Sequence, residues 1–236
     1  MKATGLLRGD AGFSLLEAVM AIAIIAVISG IAVTAAVQHL EDARLSRAAA
    51  DTQMIGISIH SFMNDTGWPP VFKNGKARSP EDTFLVLETG GSDPVISSSL
   101  HWPAIASNAD DVELLENQLV KNQPGATPGA NPDPALAYPR MGEITYARFK
   151  GWNGPYTSSM PFSDPWSDKY LVNIQLLTAQ GIQAEHEADN SFTLGTGQRA
   201  AVFVISAGPN RQIETRFDQP ADAFAAGGDD VVYRIQ

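Results

Sequence analysis

Gly12-Phe13-Ser14-Leu15-Leu16-Glu17, followed from Ala18 to Val37 by residues without a formal charge, decides how this chain is built. Hydrocarbon about 30 Å thick is crossed by roughly 20 apolar helical residues. The run meets that length, softened only by Ser29, Gly30 and Thr34, and reads as a membrane segment. Glu17 stands at its edge. A carboxylate drawn to the bilayer centre costs about 2.5–3.5 kcal/mol, so Glu17 is expected to be paired or functional. The plain alternative is a secretory signal peptide, with Lys2 and Arg8 as its basic region and Ala21-Ile22-Ala23 or Ala32-Val33-Thr34 as the cleavage site. Two features count against it: the apolar run exceeds the usual core of roughly 7–15 residues, and Glu17 interrupts its start.

Beyond the run the helical pattern does not stop. Leu45, Ala48, Ala49, Thr52, Ile55, Ile59, Phe62 and Met63 recur at helical spacing through the polar stretch 38–63, which predicts one helix from Ser14 to Met63, roughly 75 Å long. Its upper half is amphipathic and must bury one face against the rest of the chain. Asn64-Asp65-Thr66-Gly67-Trp68-Pro69-Pro70 ends it, with a glycine suited to a left-handed cap and two prolines that forbid continuation. Glu41, Asp42, Arg44 and Arg47 are spaced as charges that solvate an exposed helix.

Composition narrows the function classes. A formal net charge of −10, with Lys and Arg scattered along the chain, argues against nucleic acid, whose phosphates need a basic face. With no cysteine, neither disulfides nor thiolate chemistry is available, and His39, His60, His101 and His186 each lack a second ligand at metal spacing.

Downstream, Ser79-Pro80-Glu81-Asp82 has the form of a helix start and predicts a short helix to Glu88, ended by Gly90-Gly91. A second helix is expected over 111–121, and the proline-rich 122–134 as a surface loop. Strands are expected at 170–176, 200–206 and 230–235, forming an antiparallel sheet whose apolar face covers the helix stripe. The fold class is α+β, a long N-terminal helix packed against a small sheet. Gly195-Thr196-Gly197-Gln198-Arg199-Ala200 fits a loose dinucleotide pattern but precedes a strand, so it is expected as a hairpin turn.

The opening motif resembles the start of type IV pilin-like proteins, in which a short basic leader and a glycine precede Phe-Thr/Ser-Leu-x-Glu. The resemblance implies a pilin-like fold and cleavage between Gly12 and Phe13 by a prepilin peptidase, with N-methylation of Phe13. It also implies pairing of Glu17 with the amino terminus of a neighbouring subunit, so that Phe13 and Glu17 carry assembly. The chain would divide into a cleaved leader (1–12), a transmembrane and filament-core helix (13–38) and a periplasmic head (39–236). The head would comprise the upper helix (39–66), a variable insertion (73–150) and a C-terminal sheet region (151–236).

A second, more specific likeness lies in Gly154-Pro155-Tyr156 and Asp164-Pro165-Trp166-Ser167-Asp168-Lys169-Tyr170, which resemble the core of the major pseudopilins of type II secretion, the protein G family. Ser167 stands where that family has glycine. Asp164, Pro165 and Trp166 are expected to form a structural turn with the indole plugging the helix-to-sheet interface. The loop from Ser206 to Asp230 resembles the family's calcium loop, which implies Ca2+ held by Asp229, Asp230 and Asn210. Asp218 and Asp222 would serve either as further ligands or as solvated charge. The implied role is a structural, non-enzymatic subunit of a secretion pseudopilus. It would be a single-pass inner-membrane protein working in the lipid bilayer with an assembly platform, its ATPase and minor pseudopilins. A type IV pilin, a minor pseudopilin and a membrane-tethered enzyme are the alternatives, and no nucleophile–base pairing or phosphate loop supports the last.

Overall fold

The computed structural model describes residues 14–79, 82–103, 105, 113–126, 131, 133–143, 151–179, 194 and 197–236. Contacts divide the chain into two compact units, Met1–Ala43 and Arg44–Gln236. Helix α1, Leu15–Thr66, runs through both.

In the first unit α1 is uncharged from Ala18 to Val37, and its described side chains from Leu15 to Leu40 are exposed. It is long and apolar enough to cross a membrane. In the second unit α1 buries the expected stripe: Ala48, Thr52, Ile55, Ile59 and Phe62 lie inside, while Ala49 is exposed and Leu45 and Met63 are partly so. Gly56 and Ser58 join the buried face. α1 ends at Gly67, whose φ of +76° and N–H bond to the Met63 carbonyl (2.9 Å) make the left-handed cap that the sequence predicts.

The buried stripe meets a four-stranded antiparallel sheet made of β1 (Leu87–Glu88), β3 (Leu171–Val172), β4 (Phe203–Ser206) and β6 (Val231–Arg234), in that spatial order. β4 is buried along its whole length, which explains its unbroken apolar reading: both faces of the sheet are covered. On one face Val204 and Tyr233 are cross-strand partners, and the Tyr233 ring lies against Gly56 of α1, which has no side chain to hold it off. On the other face Phe203 meets Trp102 and Phe224, with ring centroids 6.1 and 5.1 Å away, and its strand partner Arg234 lays its guanidinium over Phe224. This second cover was not foreseen. A separate two-stranded parallel pair joins β2 (Val95–Ile96) to β5 (Gln212–Ile213).

The expected helix to Glu88 is overturned in its described part. Residues 82–88 hold no helix: Asp82 and Leu85 are bends, Thr83 bridges Phe72, and Leu87 and Glu88 form the β1 edge against β3. Phe84, Val86 and Leu87 are buried around exposed Leu85. Partners far along the chain thus outweigh the local capping signal; Pro80 and Glu81 lie outside the described residues. The second helix is shorter than expected, a π-helical turn at Asn117–Lys121 entered from Leu115 and Glu116, with 111–112 outside the described residues. The expected strands are shorter too, since 174–177 turns into a 3-10 helix.

The described parts of segment 73–150 contribute to the core. They supply Phe84, Leu115, Leu119 and Tyr138, and the Phe62 ring stands edge-on to Tyr138 at 4.9 Å and to Tyr156 at 5.5 Å. Of the Gly195–Ala200 turn, Gly195 and Thr196 lie outside the described residues; Gly197 has φ +82°.

Candidate functional site

Gly12 and Phe13 also lie outside the described residues. The structure does place the rest of the motif. Ser14 precedes α1, and its Oγ accepts the backbone N–H of Glu17 at 3.2 Å. Ser14 is therefore an N-cap and Glu17 the third helical residue, where a carboxylate also favours the helix dipole. The Ser-x-x-Glu spacing is the sequence signal for this, a capping pattern that a reading of the motif as a processing site alone passes over.

The Asp164 turn is held by its carboxylate. Oδ1 accepts the N–H groups of Trp166 (2.9 Å) and Asp168 (2.8 Å), Oδ2 accepts the Ser206 hydroxyl at the end of β4 (2.6 Å), and the Asp164 N–H reaches back to the Asp168 carbonyl. Burial pushes the Asp164 carboxyl up from its ordinary value, against these stabilising hydrogen bonds. Ser167 adopts φ +78°, so the turn keeps the left-handed geometry that glycine would serve better. The Trp166 indole is half-buried and outside the core cluster, so the plug expected of it is not seen.

Next to this turn, Asp168 is buried and receives the Arg211 guanidinium through two bonds, 2.9 and 2.6 Å. Lys169 is fully buried, with Nζ 2.7 Å from Glu88 and 2.9 Å from Asp93. Burial alone would lower its pKa; the two carboxylates outweigh that and raise it. The hydroxyl of Tyr170 donates to Asp51 of α1 (2.9 Å), and Arg47, 3.4 Å from Asp51, also reaches the Ser163 carbonyl. Three consecutive residues thus anchor the turn region through polar contacts.

The C-terminal acidic loop brings Asn210, Asp229, Asp230 and Glu214 together. The Asn210 N–H donates to Asp229 Oδ2 (3.1 Å) and its amide to Glu214 (2.9 Å). Asp230 Oδ2 accepts the backbone N–H groups of Glu214 and Thr215 and the Thr215 hydroxyl. Asp229 Oδ1 and Asp230 Oδ1 are out of solvent without a hydrogen-bond partner. Burial, with a contribution from the Glu214 charge, raises the Asp230 pKa. Glu214 was not singled out from sequence; its place four residues after Asn210 was the available signal. Asp218 and Asp222 are engaged elsewhere. Asp218 binds Arg216 through both oxygens and lies 3.5 Å from His101, while Asp222 accepts from Gln198. Among the described residues no group of three or more His, Asp or Glu side chains is arranged to hold a metal ion. The two orphaned carboxylate oxygens, hard donors in an acidic loop, fit a contribution to a calcium shell completed by backbone carbonyls.

Residues 7–33 match the family model of the prokaryotic N-terminal methylation motif. The chain carries a type IV pilin-like prepilin signal. The matched residues take in the Gly12–Phe13 junction, Ser14, Glu17 and the greater part of the uncharged run. A prepilin signal implies processing by a prepilin peptidase and assembly into a filament, and it points to a structural subunit. No curated protein and no solved structure matches the chain.

Proposed function

We propose that this chain is a pseudopilin of a type II secretion machine, a membrane-anchored subunit that polymerises and drives folded proteins across the outer membrane. The prepilin signal supports the wider class, pilin or pseudopilin. The narrower reading rests on one observation: the Asp164 turn, in which an Asp-Pro-Trp segment is tied by its carboxylate to Ser206 at the end of the central strand. That bond joins two of the segments that resemble the major pseudopilins, 164–170 and the loop that begins at Ser206. In this reading Phe13, once exposed by cleavage after Gly12 and methylated, and Glu17 neutralise each other between neighbouring subunits in a low-dielectric core. Ala18, Ala21, Ala26, Gly30, Ala32 and Ala36 let the helices approach closely. An inner-membrane platform and its ATPase supply the work, the head stands in the periplasm, and minor pseudopilins share the filament.

The test is the partition of exported proteins between periplasm and medium, in a strain lacking the chain and in one complemented with Glu17→Ala. Periplasmic retention in both supports the proposal. Normal secretion overturns it and directs attention to a surface pilus.

The C-terminal loop supports a second part of this reading, a structural calcium ion. Asp229 and Asp230 would hold it through the two oxygens that lack partners. Bound there, the ion would tie the start of β6 to the 208–215 segment, a link that a chain without cysteine has no disulfide to make. Calcorimetric silence on titrating the full chain in detergent with calcium would remove this part and leave the secretion reading standing.

A further inference from the structure

Among the described residues Lys73, Lys76 and Lys121 are exposed, whereas the Lys169 side chain is wholly inaccessible. Its Nζ meets Glu88, equally inaccessible, at 2.7 Å and Asp93, whose side chain is 41% exposed, at 2.9 Å. The backbone fixes this meeting from both sides. Glu88 lies opposite Leu171 in the β1–β3 ladder, the Thr89 N–H donates to the Tyr170 carbonyl at 3.0 Å, and the Lys169 N–H donates to the Ser92 carbonyl at 3.0 Å. Nζ and the Glu88 carboxyl carbon, one C–O bond beyond Oε1, therefore separate only if the sheet edge opens.

Holding two ions out of water costs more than holding a neutral group of the same shape. Joining them as an amide removes both charges and leaves the atoms nearly where they stand. In open water the solvent opposes such a condensation. Groups held in reacting contact have effective molarities of about 10⁵–10⁸ M, and a closed site excludes the water that reverses the step.

We infer that Lys169 and Glu88 form a covalent staple, in which Nζ and the Glu88 carboxyl condense to an amide that ties β1 to the segment entering β3. The bond made is Nζ–Cδ, the bond broken is a Cδ–O bond of Glu88, and one water leaves. Asp93 carries the proton. Nζ rests as an ammonium; Asp93 takes one of its protons, the lone pair attacks Cδ, and the departing oxygen leaves as water with that proton and a second one from Nζ. An ammonium and a carboxylate thus give an amide and water, with no oxidant or co-reactant. The exposed side of Asp93 is the way out for the water. The staple is independent of the secretion reading, and it gives a chain without cysteine a covalent crosslink of another kind.

The test is mass spectrometry of the full chain, purified in detergent and then denatured, with its tryptic peptides mapped. The expected result is a mass short by one water whichever amino terminus the chain carries, no cleavage after Lys169, and a branched peptide joining Glu88 to Lys169. Lys169→Arg keeps the cation and should show the full mass. Asp93→Asn keeps both reacting groups and should slow the loss of water, followed in newly made chain, by about 100-fold or more. Full mass in the parent chain, with ordinary cleavage after Lys169, leaves an ion pair only and overturns the inference. A missing water that persists in Lys169→Arg, or that maps to an amide on Asp93, overturns it as well.

Discussion

The Ser206 hydroxyl donates to Asp164 Oδ2 at 2.6 Å, linking the Asp-Pro-Trp turn to the last residue of the central strand across 42 positions of sequence. Asp164 is almost wholly buried and its two oxygens accept three hydrogen bonds. Removing such a group orphans buried donors at about 1–3 kcal/mol each, partly offset by relaxation. Asp164→Ala is expected to cost about 3 kcal/mol in urea unfolding. Asp164→Asn keeps an acceptor for the turn and a donor for Ser206, so it should cost clearly less. Equal losses would mean that the turn does not depend on this acceptor pattern.

The same residue has a pH signature. Burial raises the folded-state pKa of Asp164 above its ordinary 3.8, so in the window above 3.8 the folded protein binds more protons than the unfolded one. The stability contributed by protonating Asp164 is full below 3.8 and is lost as pH rises through the folded value. Wild-type stability minus that of Asp164→Asn should therefore fall with rising pH across this window. Asp230 shifts in the same direction, so Asp230→Asn should behave alike in calcium-free buffer. A difference that rises with pH would contradict the assigned direction.

Ser167 occupies left-handed backbone at φ +78° and is exposed, so its hydroxyl contributes little that would compensate the strain. Ser167→Gly should stabilise the chain by about 1 kcal/mol, seen as a higher midpoint at unchanged slope. A lower midpoint would show that serine makes a contact worth more than the strain.

Gly56 and Tyr233 form a size pair. A Cβ at position 56 would collide with the Tyr233 ring, so Gly56→Ala must displace it. Overpacking of this kind costs about 1–3 kcal/mol. In a Tyr233→Ala background the same substitution should instead stabilise by about 1 kcal/mol, the helix preference of Ala over Gly. A double-mutant cycle reads both, and an unchanged sign would disprove the pairing.

Lys169 and Glu88 form a buried ion pair, with the exposed Asp93 as a second partner of the ammonium. Lys169→Met removes the ammonium from beside a buried carboxylate and should cost about 3–5 kcal/mol, whereas adding Glu88→Leu should recover much of that. Failure of the second change to rescue would show that Glu88 stabilises the core independently of Lys169.

What the sequence determined by itself is local and periodic. The uncharged run, the stripe at Ala48, Thr52, Ile55, Ile59 and Phe62, and the stop at Gly67 each follow from neighbours within one or two helical turns, and the structure has them in place. The cores of β3, β4 and β6 were legible because β-branched and aromatic residues there are bounded by turn formers. The prepilin signal was legible as a contiguous motif. Only the tertiary structure decided what depends on partners far apart in the chain. Residues 82–88 read as a helix from their capping signal, yet Leu87 pairs with Val172 and the segment holds no helix. Asp218 and Asp222 stood open in the sequence as further ligands or as solvated charge; Arg216 and Gln198 take them, while Asp229 and Asp230 keep buried oxygens unengaged. The Trp166 indole, expected in the core, leaves the turn to the Asp164 carboxylate and Ser206. Backbone propensity acts within a few residues and spans about 1 kcal/mol, whereas burial and long-range pairing of several side chains exceed it, so the distant partner prevails where the two conflict.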